Sequence, residues 1–375
     1  MQWSNRATLR LLIVNILVEV KGMRTDYKVL GDYIQLVDQR NRDLSVTNLL
    51  GVSIEKRFIP SIANIVGTDL SSYKIVRTGQ FAYGPVTSRN GEKISIAYLD
   101  SEDCIISSSY TVFEVAKKDE LDSEYLMLWF SRPEFDRYAR YKSHGSVREI
   151  FDWNELCAVE LPVPAIEEKR NIVKAYKAIT DRIALKKQIN DNLEATAYAI
   201  YKETFITSGS DNWDKGTLSD LFTVKYGKDH KHLLDGSIPL YGSGGIMRYV
   251  EKPLYNKVSV LIPRKGTLSN VMYVDEPFWS VDTMFYTEIL KPYAAKFIYY
   301  FVKSKDLAGM DTGSAVPSMS SEIIHSMQLD IPDDATLIAF DNRLNPLYKQ
   351  MKVNNQECVE LHKLQEVLLA TISSC

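Results

Sequence analysis

Behind Pro332 the chain places Leu337, Phe340, Leu344, Leu347, Met351, Asn354, Cys358, Leu361, Gln365, Leu368 and Ile372 at alternating intervals of three and four, with only Asn354 and Gln365 polar. That spacing is the a/d seam of a coiled coil and predicts a long helix over 333–375. Behind Pro164 the same frame holds Ile172, Tyr176, Ile179, Ile183, Lys186, Asn190, Leu193, Ala197 and Ile200, which predicts a second long helix over 165–207. One constant offset relates the two series, and it also carries Leu156-x-x-Val159-x-Leu161-x-Val163-Pro164 onto Ile324-x-x-Met327-x-Leu329-x-Ile331-Pro332, and Gly145-Ser146 onto Gly313-Ser314. Each apolar alternation before its proline predicts a half-buried strand that the proline ends, because proline cannot donate to a ladder. Pro346 breaks the pattern: it removes a helical hydrogen bond and predicts a kink or a fresh first turn.

Upstream of each helix the period shortens to that of strands and turns. Residues 26–164 contain Tyr73-Lys74-Ile75-Val76, Lys93 to Leu99, Ile105-Ile106 and Thr111 to Val115; residues 208–332 contain Val258 to Ile262, Val271 to Val274 and Met284 to Thr287. Glycine-rich turns separate them, and each segment also holds a short apolar helix, around 124–141 and 293–302. Thr207-Ser208-Gly209-Ser210-Asp211 is a polar boundary between the halves. The expected fold is therefore α+β, mixed helix and sheet, with an internal repeat: an extension over 1–25, a domain over 26–164, a helix over 165–207, a domain over 208–332 and a helix over 333–375.

Composition narrows the function only a little. The chain has 375 residues, 45% of them hydrophobic, and Lys+Arg 45 against Asp+Glu 48 leave a net charge of −3, so an anionic partner must be met by local patches. Cys104, Cys157, Cys358 and Cys375 lack the close spacing of zinc sites or disulfide scaffolds, which reads as reduced thiols in the cytoplasm. Leu9 to Val20 is apolar but short and interrupted by Asn15 and Glu19, and no membrane span is expected; a leading helix, or a natural start at Met23, accounts for it. No nucleotide-binding loop, dinucleotide fingerprint, nucleophile elbow or zinc-protease motif occurs. Glu167-x-Lys169 has nuclease-like spacing but opens a helix, where acidic residues suit the dipole. His230-x-His232 beside Asp229 could touch a metal, and reads equally as a solvated loop.

The positive signal lies in loops. Between Arg132 and Arg148, five basic residues (Arg132, Arg137, Arg140, Lys142, Arg148) stand against Glu134 and Asp136, interleaved with aromatics and running through Ser143-His144-Gly145-Ser146. In the second half Arg264-Lys265-Gly266-Thr267-Leu268-Ser269-Asn270, Thr312-Gly313-Ser314 and Ser318 offer the same vocabulary. Cations supply charge to phosphates, small residues let backbone N–H groups approach, and Arg, Asn, Ser and Thr also read base edges. Each cluster by itself is also compatible with an ordinary solvated surface.

Taken together the chain resembles the DNA-specificity subunit of type I restriction–modification systems, over nearly its whole length from about Tyr27. The resemblance is carried by the doubled domain-and-helix order and by local strings. These are Gly79-Gln80-Phe81-Ala82-Tyr83-Gly84-Pro85 with Arg89-Asn90-Gly91, Ile238-Pro239-Leu240-Tyr241-Gly242-Ser243-Gly244-Gly245-Ile246, Leu261 to Thr267, and Pro277-Phe278-Trp279-Ser280-Val281-Asp282-Thr283. It adds Tyr83, Ser88, Arg89, Asn90, Tyr241, Ser243 and Gly244 to the candidate DNA contacts. It implies two target-recognition domains, each reading half of a split duplex target, and two antiparallel helices that act as a ruler related by a pseudo-two-fold axis. Lys186 would then lie near Asn354. It further implies a noncatalytic subunit without a cofactor of its own. Two methyltransferase subunits would use S-adenosylmethionine, and restriction subunits would use ATP and Mg. The apolar extension before Met23 and Pro346 depart from the pattern. A coiled-coil scaffold that does not bind DNA, and an unrecognised nuclease, are the alternatives.

Overall fold

The computed structural model describes residues 27–61, 67–88, 90–145, 149–209, 213–310 and 318–372. The apolar extension and the expected start at Met23 lie outside them. The chain forms two compact units, one of Met1–Leu185 with Gln356–Cys375 and one of Lys186–Asn355. The sequence boundaries at 164 and 332 follow chain order, whereas the units follow packing, so each long helix contributes to both.

In the first unit, Tyr27–Val29 pairs antiparallel with Glu160–Pro162, and the Leu30 N–H donates to the Val159 carbonyl at 2.8 Å. The Glu160–Pro162 strand is shorter than the apolar alternation predicts, since Leu156 lies in a helix and the ladder ends at Pro162, and it closes the domain against its own beginning. A 3-10 turn, Leu30–Asp32, leads into an antiparallel sheet ordered Ile34–Val37, Thr111–Val115, Phe81–Tyr83, Ile96–Tyr98. Helices Ser123–Phe130, Pro133–Tyr141 and Trp153–Cys157 follow; the side chains of Asp122 and Asp152 cap the first and third by accepting the N–H groups of Tyr125 and Glu155. Phe81 stacks on Phe113 at 4.9 Å, and Phe130, Phe135 and Phe151 complete an aromatic core.

The second unit repeats the closure. Asp214–Thr217 pairs antiparallel with Gln328–Ile331, the Leu218 N–H donates to the Met327 carbonyl at 3.1 Å, and a 3-10 turn, Leu218–Asp220, leads into the sheet. Leu-Gly-Asp at 30–32 and Leu-Ser-Asp at 218–220 are therefore a second repeat, missed in the sequence because its offset differs from that of the Pro-ended strands. The main sheet is ordered Phe222–Tyr226, Met284–Ile289, Ser259–Pro263, Met272–Val274, and a smaller one Gly245–Val250, Asp235–Gly242, Trp279–Ser280. Helices Ala295–Lys303 and Ser321–His325 complete the unit.

The long helices are Ile166–Tyr201, prolonged by a π-helical turn Lys202–Thr207, and Asp334–Thr371, which continues through Pro346 without dividing. In the first unit Ile172, Ile179 and Ile183 share one core with Cys358, Leu361, Leu368 and Ile372, with Tyr176 packed against it. Antiparallel order is fixed there by Gln365, whose amide donates to Thr180 Oγ1 at 2.8 Å, and by Arg182 on Glu357. In the second unit Ala197 and Tyr201 share a core with Leu337, Phe340 and Leu344, against which Ile200 and Leu347 pack; Leu193 and Met351 are half-buried. Lys186 Nζ donates to Asn354 Oδ1 at 3.1 Å, as does Gln350 Nε2 at 2.9 Å. The Asn354 amide donates to Asn190 Oδ1 at 2.8 Å, and Asn190 donates to Asn355 at 2.7 Å. Asn354 is fully buried, and this polar layer satisfies it.

Candidate DNA interface

In the first unit the two candidate segments lie side by side. Val86 and His144 each bridge to Ile150, Thr87 N–H donates to the Glu149 carbonyl at 3.0 Å, and Thr87 Oγ1 donates to Ser143 Oγ at 2.9 Å. Ser88, His144 and Gly145 are exposed there; Asn90 is half-buried, its amide turned back to the Val86 carbonyl at 3.4 Å. A cleft of about 300 Å³ lies alongside, lined by Gly84, Pro85, Val86, Asn90, Ser95, Ser109 and Tyr110. Arg89, Ser146 and Arg148 lie outside the described residues.

Two expectations for this loop need correction. Tyr83 is fully buried in a sheet strand, between Phe113 and Phe151, and burial pushes its phenol up; its ring is core and not available to a base. The basic excess is also largely offset, by Glu134 within the segment and by Glu149 and Glu155, which follow shortly after it in the chain. Arg140 pairs with Glu149, Lys142 lies 3.6 Å from Glu155, Arg137 lies 3.0 Å from Glu134, and Arg132 is buried with its guanidinium 4.1 Å from the Trp129 ring centre. Exposed ion pairs of this kind contribute little stability and leave little net charge.

The second unit gathers its described candidates from three segments. Asn270 Nδ2 donates to the Ser243 carbonyl at 2.9 Å, and Gly266, at φ +88, comes so close that a Cβ would stand 2.8 Å from Ser243 Oγ. The left-handed backbone there favours glycine, while the Ser243 hydroxyl could turn aside for a Cβ. Lys265 bridges to Ser318, and the Arg264 carbonyl accepts from the Met319 N–H at 2.9 Å. The Arg264 guanidinium lies 5.4 Å from the Tyr226 ring centre and donates to the Asp282 carbonyl at 3.2 Å. Among the described residues neither Arg264 nor Lys265 has a carboxylate within salt-bridge distance. Lys265, Thr267 and Gly244 are exposed, and Ser243, Asn270 and Ser318 half-buried.

Tyr241 is corrected as Tyr83 was: it is buried against Phe278, and burial pushes its phenol up. Thr312, Gly313 and Ser314 lie outside the described residues. Sequence reasoning missed Tyr226, which is half exposed, carries the Arg264 guanidinium and places its hydroxyl 3.2 Å from Ser321 Oγ. The available signal was an aromatic ending the alternation Phe222-x-Val224-x-Tyr226 just before Gly227. His232 Nδ1 lies 3.6 Å from Asp229, and no group of three or more His, Cys, Asp or Glu able to hold a metal occurs among the described residues.

The type I restriction modification DNA specificity domain matches the chain twice, over 64–195 and 210–360. The chain belongs to this family of specificity subunits. The specificity subunit of the type I restriction enzyme MjaIX of Methanocaldococcus jannaschii is 23% identical over 308 residues, covering 68% of this chain and 69% of its own. That of HindI of Haemophilus influenzae is 23% identical over 147 residues, 39% of this chain and 32% of its own. The crystal structure of a type I restriction-modification S subunit from M. genitalium has a TM-score of 0.59 at 15% identity, over 94% of this chain and 96% of that one, which shows a shared fold. Each specificity-domain match runs into a long helix, so the doubled sequence pattern and the doubled family match mark the same repeat. Among the described residues no helix is long and apolar enough to cross a membrane.

Proposed function

We propose that each domain of this specificity subunit docks on double-stranded DNA and reads one half of a bipartite target, while the helix pair sets the gap between the halves. The observation that carries this reading is the repetition of one closure, strand to 3-10 turn at the front and Pro-ended strand to long helix at the rear, around two otherwise different domains. Two domains of one design with different loops suit two different half-targets. In the second domain the loop 264–270 supports contact with phosphates or base edges, since Arg264 and Lys265 stand near Ser243, Thr267 and Asn270 with no carboxylate within salt-bridge distance among the described residues.

In this reading two methyltransferase subunits grip the helices and domains. They bring S-adenosylmethionine, restriction subunits bring ATP and Mg, and the chain itself is noncatalytic and works in the cytoplasm. The test is a titration of labelled duplexes with the chain alone and with its modification subunits, read with methylation of the same duplexes. Sequence-selective binding that tightens in the complex, with methylation at two separated half-targets, is the expected result. A complex that methylates without regard to sequence would refute it.

A further inference from the structure

The short helix Ala295–Lys303 in the second unit is buried along residues 295–302 and is tied by directional bonds to both long helices. On the central helix, Glu194 accepts from Tyr299 at 2.8 Å, from Tyr300 at 3.2 Å and from Lys303 at 2.8 Å. On the C-terminal helix, Tyr348 donates to the Tyr300 hydroxyl at 2.9 Å. There too, Lys296, with 4% of its side chain exposed, bonds Asp341 at 2.6 Å and Asn345 at 2.7 Å. The Lys296 ammonium also faces the rings of Tyr273 and Tyr348 at 5.6 and 5.3 Å. Burial and the Glu194 charge push the phenols of Tyr299 and Tyr300 far above their ordinary range, so both remain donors to the carboxylate.

Apolar packing alone is non-directional and tolerates rotation of one body on another, whereas bonds to charged groups are short and angle-dependent. Two such anchors, one on each long helix, leave a rigid body little rotational freedom. The corresponding helix of the first unit, Ser123–Phe130, meets the central helix through the partly exposed ion pair of Lys177 and Glu124 and through the buried Lys169, whose ammonium lies 6.0 Å from the Tyr125 ring centre, beside an apolar core. Both joints hold a buried lysine against an aromatic ring, and the second adds hydrogen bonds from its short helix to Glu194 on one long helix and to Asp341 and Asn345 on the other. Nothing in DNA reading requires this network, since none of its residues belongs to the loops that present Arg264 and Asn270.

We infer that Glu194 and Lys296 are positioning residues that fix the rotational setting of the second domain on its helices, and so restrict the complex to one gap between half-targets. This rests on the bipartite reading proposed above. One base-pair step corresponds to about 35° of rotation at 10–10.5 base pairs per turn, so a loosened joint should admit neighbouring gaps.

The test compares Glu194→Gln, and the triple variant Glu194→Gln, Lys296→Met, Asp341→Asn, with the parent chain, each in complex with its modification subunits, by mapping methylated sites in genomic DNA. Asp341→Asn accompanies Lys296→Met so that no buried carboxylate is left alone. The expected result is unchanged half-targets with methylation spread to gaps one base pair longer and shorter, at a tenth or more of the parental level, in the triple variant and more weakly in Glu194→Gln. Should the triple variant fail to fold, Glu194→Gln, which keeps the side-chain volume and one acceptor, decides by the same readout. A single unchanged gap, whether methylation is at the parental level or uniformly lower, would overturn the inference and leave a merely structural network. Methylation without any two-part pattern in the parent would instead overturn the bipartite reading.

Discussion

Arg140 lies against Glu149, whereas the guanidinium of Arg264 lies over the Tyr226 ring with no carboxylate beside it among the described residues. The two cations read alike in the sequence because the acid that neutralises Arg140 reaches it only through the Thr87–Glu149 and His144–Ile150 pairings. Arg264→Ala should weaken duplex binding and lower the slope of log K against log salt by about one unit if it holds one phosphate. Arg140→Ala should change that slope by less than half as much. Titrations at several salt concentrations check both, and equal effects would mean that the local acids do not matter. Tyr83 and Tyr241 show the opposite error: each stands in a string next to polar loop residues, but each belongs to a strand end that the core covers. Tyr83→Ala should cost about 3–5 kcal/mol of stability, as for other large-to-small aromatic truncations. Tyr83→Phe should leave both melting and DNA affinity nearly unchanged; a loss of affinity without a loss of stability in that variant would restore a role in contact.

The long helices were legible because their seam repeats in a fixed frame, and a seam is a local property of sequence. Their polar layer was only partly so: Lys186 and Asn354 stood out as polar residues in apolar positions, while Gln350 and Asn355 lie off the seam and join through the fold. A buried asparagine of this kind favours one register at a cost in stability. Asn354→Leu should lower stability by roughly 1–3 kcal/mol, because Lys186 and Asn190 lose buried partners. Replacing Lys186, Asn190 and Asn354 together by leucine should recover or exceed the parental melting temperature. Thermal melting of the three chains decides this; a single variant as stable as the parent would show that the layer carries no energetic coupling. Pro346 was the feature least legible as an element boundary. The helix continues through it, since flanking turns and the packed faces of Leu344 and Leu347 hold the backbone where one hydrogen bond is missing.

At the scale of the molecule, the repeat was visible at the rear of each domain and hidden at the front, because the interior of each domain has its own length and its own loops. The rear carries the helices, which must match one another, and the interior carries the surfaces proposed to read DNA, which must differ. This division of labour predicts that length and recognition can be changed separately. One heptad inserted after Lys186 and another after Asn354 keep both seams in phase and lengthen the helix pair by about 10 Å at 1.5 Å per residue. Duplex DNA rises roughly 3.4 Å per step, so the gap should grow by about three base pairs, with about 100° of rotation between domains that lowers activity where partners resist it. Mapping methylated positions across the genome of cells carrying the parent complex or the inserted one measures both quantities at once. The expected result is two short half-targets, identical in the two complexes, separated by a fixed gap that is about three base pairs longer after insertion. Altered half-targets, an unchanged gap in an active complex, or one uninterrupted target in the parent would contradict it.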